Sequence, residues 1–253
     1  MQTHKNKFKA GLESRNLQIG LWASSCSNTV VEVLAGSHPD WILLDTEHSA
    51  NELPNLVSQM QAMNGSSTST IVRPAWNDKV LIKRILDAGA QSLLIPYVQN
   101  VHEAKAAVAA TRYPQGGIRG VAGSTRASDY GRNKTYLHTA SDEIAMIVQI
   151  ETGEALQEIE AIATVDGVDG VFIGPSDLSA SLGHIGNAEH KDVQVAIKTA
   201  IEKLQSVGKP AGILAFNPDH AKRYIDWGFQ FVAVGSDLGM LVKGSDSLVQ
   251  QFK

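Results

Sequence analysis

The sequence predicts a (β/α)8 barrel, one TIM-barrel domain spanning residues 1–253. Three observations carry this. Eight short apolar runs recur along the chain, each continuous enough to be buried on both faces as in a parallel sheet. Amphipathic helical segments separate them, and an alternation of this kind over about 250 residues is the pattern of a closed α/β barrel. The first run leads into WASSCSN, whereas a doubly wound open sheet usually has a glycine-rich turn there.

The runs are QIGLWAS (18–24), WILLD (41–45), STIVR (69–73), QSLLIP (91–96), IAMIVQIE (144–151), DGVFIG (169–174), PAGILA (210–215) and FQFVAVG (229–235). Helices are predicted over 52–63, 78–89, 101–112, 153–164, 193–208 and 218–228. Gly89, Gly208 and Gly228 stand where helix C-caps put glycine. Asn77–Asp78 and Asn217–Pro218 read as helix starts. One irregular stretch, residues 113–136, is glycine-rich, holds four cations and reads as an extended loop over one face of the barrel.

Composition narrows the function. The chain is 43% hydrophobic and 19% charged with a net charge of −4, a globular balance with no basic stripe for nucleic acid. No apolar run approaches a membrane span, and the polar, basic N-terminus lacks the apolar core of a signal peptide. A single cysteine, Cys26, excludes an internal disulfide framework and suits a reducing compartment, so a cytoplasmic location is expected.

Barrel active sites gather at the C-terminal ends of the strands. Those positions offer Trp22, Asp45, Glu47, His48, Arg73, Gln149, Glu151, Asp177 and Leu214. Two carboxylates, Glu151 and Asp177, can share a hard divalent cation, or each can cap the helix that follows it. Arg73 can stabilise charge developing on a substrate oxygen, or form a salt bridge with Asp45 or Asp87. Asp45 and His48 are spaced so that the carboxylate can orient the imidazole for proton transfer; alternatively His48 is a solvated loop residue. No apolar run contains a lysine, and Lys209 precedes its strand, so no Schiff-base lysine is expected. Ser236 and Asp237 read as caps of the last helix, and RYPQGGIRG lacks the spacing of a nucleotide loop.

The segments QIGLW, WILLDTEHSAN, VRPAWND, LLIPYVQN, ATRYPQGGIRGV, VQIET and GVDGVFIGPSDLSASLG resemble the metal-dependent class II pyruvate aldolases of the 4-hydroxy-2-oxoheptanedioate aldolase family. The resemblance runs from FKAGL to FVAVGSD, almost the whole chain. It implies Glu151 and Asp177 as ligands of a divalent cation, Mg²⁺ or Mn²⁺ with Co²⁺ as a further candidate, and no nucleotide. Arg73 would contact the pyruvate oxygen, and His48, oriented by Asp45, would relay protons. Gln149 would contact water or substrate, and the main chain at Gly174, Pro175 and Ser176 would cradle the pyruvate carboxylate. Trp22 and Leu214 would line the acceptor side. The implied activity is reversible cleavage of a 4-hydroxy-2-oxo acid to pyruvate and an aldehyde, in a homo-oligomer, typically a hexamer that exchanges its last helix.

The sequence departs from the family pattern at Thr46, where glycine is expected, and at Ser128-Asp129-Tyr130 in the long loop. Both departures are expected on the acceptor side. Oxaloacetate decarboxylase or acyl-CoA lyase activity would use the same enolate chemistry, and a non-catalytic keto-acid-binding barrel is the reading from another class.

Overall fold

The computed structural model describes residues 5–253. Eight parallel strands close into a barrel in chain order, with the last pairing back to the first. They are β1 (Gln18–Ala23), β2 (Trp41–Asp45), β3 (Ser69–Arg73), β4 (Ser92–Ile95), β5 (Ala145–Ile150), β6 (Gly170–Ile173), β7 (Ala211–Leu214) and β8 (Phe231–Ser236). All eight predicted runs are strands. The helices are α1 (Lys7–Glu13), α2 (Asn28–Ala35), α3 (Leu53–Ala62), α4 (Lys79–Asp87), α5 (Val101–Thr111) and the single turn α6 (Tyr136–Thr139). They continue as α7 (Ile159–Ala163), α8 (Pro175–Ser181), α9 (Lys191–Ser206), α10 (Pro218–Trp227) and α11 (Asp237–Gln250).

Local chemistry explains the helix ends. Asp78 caps α4 by accepting from the amides of Val80 and Leu81, and Asn217 caps α10 ahead of Pro218. Gly89, Gly208 and Gly228 follow their helices with positive φ, at 104°, 66° and 103°. The helix predicted over 153–164 is split into a 3-10 turn (Ala155–Gln157) and α7, and the Thr152 hydroxyl accepts from the Ala155 amide at the start of the 3-10 turn.

Strand periodicity divides the core into two layers. Ile42, Leu44, Val72, Val148, Ile150, Val171 and Ile173 face outward and pack under the helices. Trp41, Leu43, Ile71, Leu94, Ile147, Phe172 and Phe231 fill the barrel itself. A Cβ on Gly20 would lie 2.1 Å from the Trp41 ring, so a bare backbone there makes room for the indole. Helix α1 plugs the N-terminal end of the barrel, a role its polar sequence did not announce. Its Phe8 ring meets Trp41 and Phe231 edge-on at 6.1 and 5.6 Å.

Because successive side chains alternate, the inward series continues beyond the apolar filling. After Trp41 and Leu43 comes Asp45, after Ile71 comes Arg73, and after Ile147 comes Gln149, then Glu151 just past the strand. The same barrel physics that buries tryptophan and leucine lower down therefore raises charged groups into the C-terminal mouth.

The loop at 113–136 runs from α5 toward β5, so it begins at a helix C-terminus and stays at the opposite, N-terminal end. Arg126 donates to the Ala88 carbonyl at 3.0 Å, and Arg119, stacked on Tyr113, pairs with Asp87 at 2.7 Å. The expectation that Ser128, Asp129 and Tyr130 touch the acceptor side is corrected within this chain. These residues lie at the strand starts, beside a cleft of about 800 Å³ lined in part by Ser69, Ser92, Arg126 and Tyr130.

Candidate active site

Asp45 and Arg73 are direct neighbours in the β2–β3 register. Arg73 Nε donates to Asp45 Oδ1 at 2.9 Å and Nη2 to Oδ2 at 2.7 Å. The Trp22 indole N–H, from the end of β1, donates to Asp45 Oδ2 at 3.2 Å, and its ring lies 4.9 Å beneath the guanidinium carbon. Both charged side chains are buried, at 2% and 7% exposure. Burial alone would raise the Asp45 pKa; the Arg73 hydrogen bonds and charge outweigh it and hold the carboxyl below its usual range.

This geometry corrects the expected Asp45–His48 pair. The Asp45 oxygens are committed to Arg73, Trp22 and the Glu47 amide, which donates to Oδ1 at 3.0 Å. The carboxylate facing His48 is Glu47, with Oε2 3.9 Å from Nε2, while the imidazole is 65% exposed. Of the two arginine readings, the salt bridge to Asp45 is formed, and it holds the guanidinium at the mouth, the position the oxyanion reading requires.

Glu47 is one of the strand-end residues to which residue type and spacing assign no role. Its Oε2 also stands 2.8 Å from Arg73 Nη1. Burial pushes its carboxyl up to about 7 against the pull of Arg73, with repulsion from Asp45 and Asp177 adding to the rise. The missed signal is the turn itself: an N–H donated back to Asp45 folds the Glu47 side chain inward over Arg73.

Glu151 is also raised to about 7, first by burial, then by repulsion from Asp177 and Glu47. The Gln149 side-chain amide and the Tyr97 backbone N–H donate to its two oxygens, the latter at 2.9 Å. Glu151 is therefore no helix cap. Tyr97 holds a positive φ of 53° here, and its exposed ring stacks on Trp76 with centroids 5.6 Å apart. Both lie in segments that carry the family resemblance, VRPAWND and LLIPYVQN, but residue type alone assigns neither a place beside the site. Asp177 is exposed in the first turn of α8.

Gly174 packs against this pair, where an added Cβ would fall 2.5 Å from Glu151 Oε2 and 3.0 Å from Gln149 Nε2. Its N–H is donated to the Ile150 carbonyl at 3.1 Å, and Pro175 has none. Of the three predicted cradle residues only Ser176 keeps an amide for a substrate, in the helix turn where amides have no intrahelical acceptor. Leu214 ends β7, half-buried against the inner core. Asp237 accepts from the amides of Ser24, Ser25 and Leu238, while Ser236 alone caps α11 through Gly239.

The donors present fit a hard divalent cation. Glu151 and Asp177 offer carboxylate oxygens of the kind such a cation takes, and burial, with repulsion from Asp177 and Glu47, raises the Glu151 pKa. Gln149 Oε1, a buried acceptor with no hydrogen-bond donor, adjoins the same carboxylate. Lys209 belongs to the other end of the barrel, where Nζ donates to the Val168 carbonyl.

A closed parallel barrel with an arginine and several carboxylates at its C-terminal mouth is an enzyme site for chemistry that develops charge on oxygen. Residues 18–244 match the HpcH/HpaI aldolase/citrate lyase family. The chain is 50% identical over 248 residues to a Klebsiella pneumoniae protein named 4-hydroxy-2-oxo-heptane-1,7-dioate aldolase, covering 98% of this chain and 94% of that one. It is 50% identical over 252 residues to a Rhizobium etli pyruvate aldolase, covering 100% and 99% of the two chains. A solved HpcH/HpaI aldolase/citrate lyase family protein from Burkholderia cenocepacia superimposes with a TM-score of 0.95 at 35% identity, covering 98% of this chain and 99% of that one. The chain belongs to the HpcH/HpaI aldolase/citrate lyase family.

Proposed function

We propose that this aldolase cleaves a 4-hydroxy-2-oxo acid, such as 4-hydroxy-2-oxoheptanedioate or a 2-keto-3-deoxy sugar acid, reversibly to pyruvate and an aldehyde. The observation that carries the reading is the Arg73 guanidinium, buried, clamped by Asp45 and opposed by Glu47 and Glu151 in one mouth. A divalent cation, Mg²⁺, Mn²⁺ or Co²⁺, held by Glu151 and Asp177 with Gln149 alongside, would polarise the keto acid and offset charge growing on its oxygen.

The chain's own groups then have separate tasks. Arg73 faces the C2 oxygen of the substrate, where a fixed cation is worth most as the enolate forms. Asp45 and the Trp22 ring hold the guanidinium in place, so no reorganisation is needed during reaction. The Ser176 amide, at the start of α8, receives the substrate carboxylate. Glu47 with His48 takes the proton from the C4 hydroxyl; the C3–C4 bond breaks, its electrons form the enolate, and the aldehyde leaves. The same pair returns the proton to C3 and releases pyruvate. Trp22 and Leu214 border the space for the aldehyde.

We further propose a homo-oligomer, in the manner of a hexamer with exchanged last helices. Helix α11 leaves Leu241 and Leu248 in solvent, and Phe252 beyond it is 84% exposed, an apolar face suited to another copy of this chain. The free Cys26 suits a reducing cytoplasm, and no helix among the described residues is long and apolar enough to cross a membrane.

The test is solvent deuterium exchange into the methyl group of pyruvate, followed by proton NMR with Mn²⁺ or Mg²⁺ and again after EDTA. Exchange that requires the cation supports the enolate half-reaction without knowledge of the aldehyde. No exchange under either condition would overturn it.

A further inference from the structure

Between α8 and α9 the chain reads GHIGNAEHKD, residues 183–192. The segment is tightly pinned. His184 N–H donates to the Ser179 carbonyl at 2.7 Å, Asn187 N–H to that of His184 at 2.9 Å, and His190 N–H to that of Asn187 at 3.0 Å. Positive φ at Gly183 and Gly186 permits these turns. They bring His184 and His190 face to face, with ring centroids 3.5 Å apart and planes 16° from parallel.

Both rings look toward one carboxylate. His184 Nε2 lies 3.4 Å from Asp192 Oδ2, and His190 Nδ1 lies 3.7 Å from the same atom. Glu189 nearby is already engaged by His220 at 2.9 Å and Arg223 at 2.8 Å, which leaves Asp192 as the carboxylate for the imidazoles. The three ligand atoms fall within 4.8 Å of one another.

The atom separations are within reach of a common ion, but the stacked rings lie in near-parallel planes, so binding requires the partly exposed imidazoles to turn about their side-chain torsions until both nitrogen lone pairs meet at it. Zinc is bound by imidazole and carboxylate at about 2.0–2.1 Å, and a tetrahedron of that size has edges of roughly 3.4 Å. His190 Nδ1 would give up a long bond, accepted from the Asp192 amide at 3.3 Å. Two nitrogens and one oxygen favour a borderline transition metal over Mg²⁺, which takes oxygen and water.

We propose that His184, His190 and Asp192 form a second metal site, taking a Zn²⁺-class ion with water in the fourth position. It is separate from the Glu151–Asp177 pair in residues and in donor chemistry. The ion acts as a clip, tying the loop after α8 to the first turn of α9 and so bracing the helix that carries Asp177.

The probe is Zn²⁺, titrated calorimetrically into the full chain with excess Mg²⁺ present. The expected result is one Zn²⁺ per chain in wild type and in Glu151→Gln. Binding weakens in His184→Ala and in His190→Ala by at least about tenfold, the lower end of the loss seen when even the partners of a metal ligand are disturbed. Zn²⁺ should also raise the Tm of wild type but not of the double histidine variant. These side chains are partly exposed, and circular dichroism checks that the variants fold. Equal Zn²⁺ affinity in wild type and the histidine variants overturns the proposal, as does a wild type whose Zn²⁺ binding disappears in Glu151→Gln.

Discussion

Arg73 and Asp45 meet across β2 and β3 as a two-point ion pair, with donor–acceptor distances of 2.9 and 2.7 Å and almost no exposure to solvent. The pair serves position more than stability, because two buried charges gain from each other much of what they lose by leaving water. Asp45 is thereby a positioning residue for Arg73, and its removal separates the two effects.

Arg73→Ala should lower kcat for aldol cleavage by roughly 10²-fold or more, the scale of losing one oxyanion donor. Arg73→Lys should recover little, since a point charge cannot hold both Asp45 oxygens. Asp45→Ala removes the two-point partner of a buried guanidinium and leaves Glu47 at Nη1, so it should destabilise the fold by about 3 kcal/mol, the lower end of the loss for breaking a buried pair, measured by chemical denaturation. Near-normal turnover in Arg73→Ala would remove it from the mechanism.

Glu47 gives a pH signature. Its carboxyl titrates at 4.5 as a model group and at about 7 in the fold, so the folded state binds this proton more tightly. The stabilisation this provides is complete below the unfolded value and is lost as pH rises through about 7. Glu47→Gln cannot ionise and should exceed wild type in stability above that point by roughly 1–3 kcal/mol, with the gap closing toward the unfolded value. Denaturation in EDTA across that range measures it. The same variant should flatten the pH dependence of pyruvate deuterium exchange if Glu47 moves the proton with His48.

Gly174→Ala places a Cβ against Glu151 and Gln149, 2.5 Å from a carboxylate oxygen. The Glu151 Cβ would also lie within 2.9 Å, so the backbone must shift as well as the carboxylate, and thermal denaturation checks that the barrel still folds. The concentration of Mn²⁺ needed to support exchange should rise by at least about tenfold, as for other disturbances around metal ligands. An unchanged Mn²⁺ requirement would show that Glu151 does not hold the cation.

Gly20→Ala provides a contrast at the other end of the site. The new methyl would meet the Trp41 ring inside the barrel. Overpacking of this kind should lower stability by about 1–3 kcal/mol while leaving the cation requirement unchanged. Thermal denaturation beside the exchange assay distinguishes the two glycines.

The amino-acid pattern by itself determined the eight strands, the barrel closure they imply, and the appearance of Asp45, Arg73, Gln149 and Glu151 at strand ends. Periodicity is local, and strands such as Trp41–Asp45 and Ser69–Arg73 are found where the apolar runs put them. Pairing between side chains is not local. Which carboxylates would face Arg73 and His48 depended on the turn after β2: Asp45 turned to the guanidinium alone, while Glu47 reached the guanidinium at 2.8 Å and the imidazole at 3.9 Å. Thr46, unexpected in that turn, bonds the Arg73 carbonyl through its hydroxyl at 2.6 Å and so clamps β2 to β3. The long loop's end of the barrel followed from the direction of α5, and the two histidines converged only through the folding of 183–192. These are contacts between segments distant in sequence, or between turns whose side chains can face several ways, and only tertiary packing selects among them.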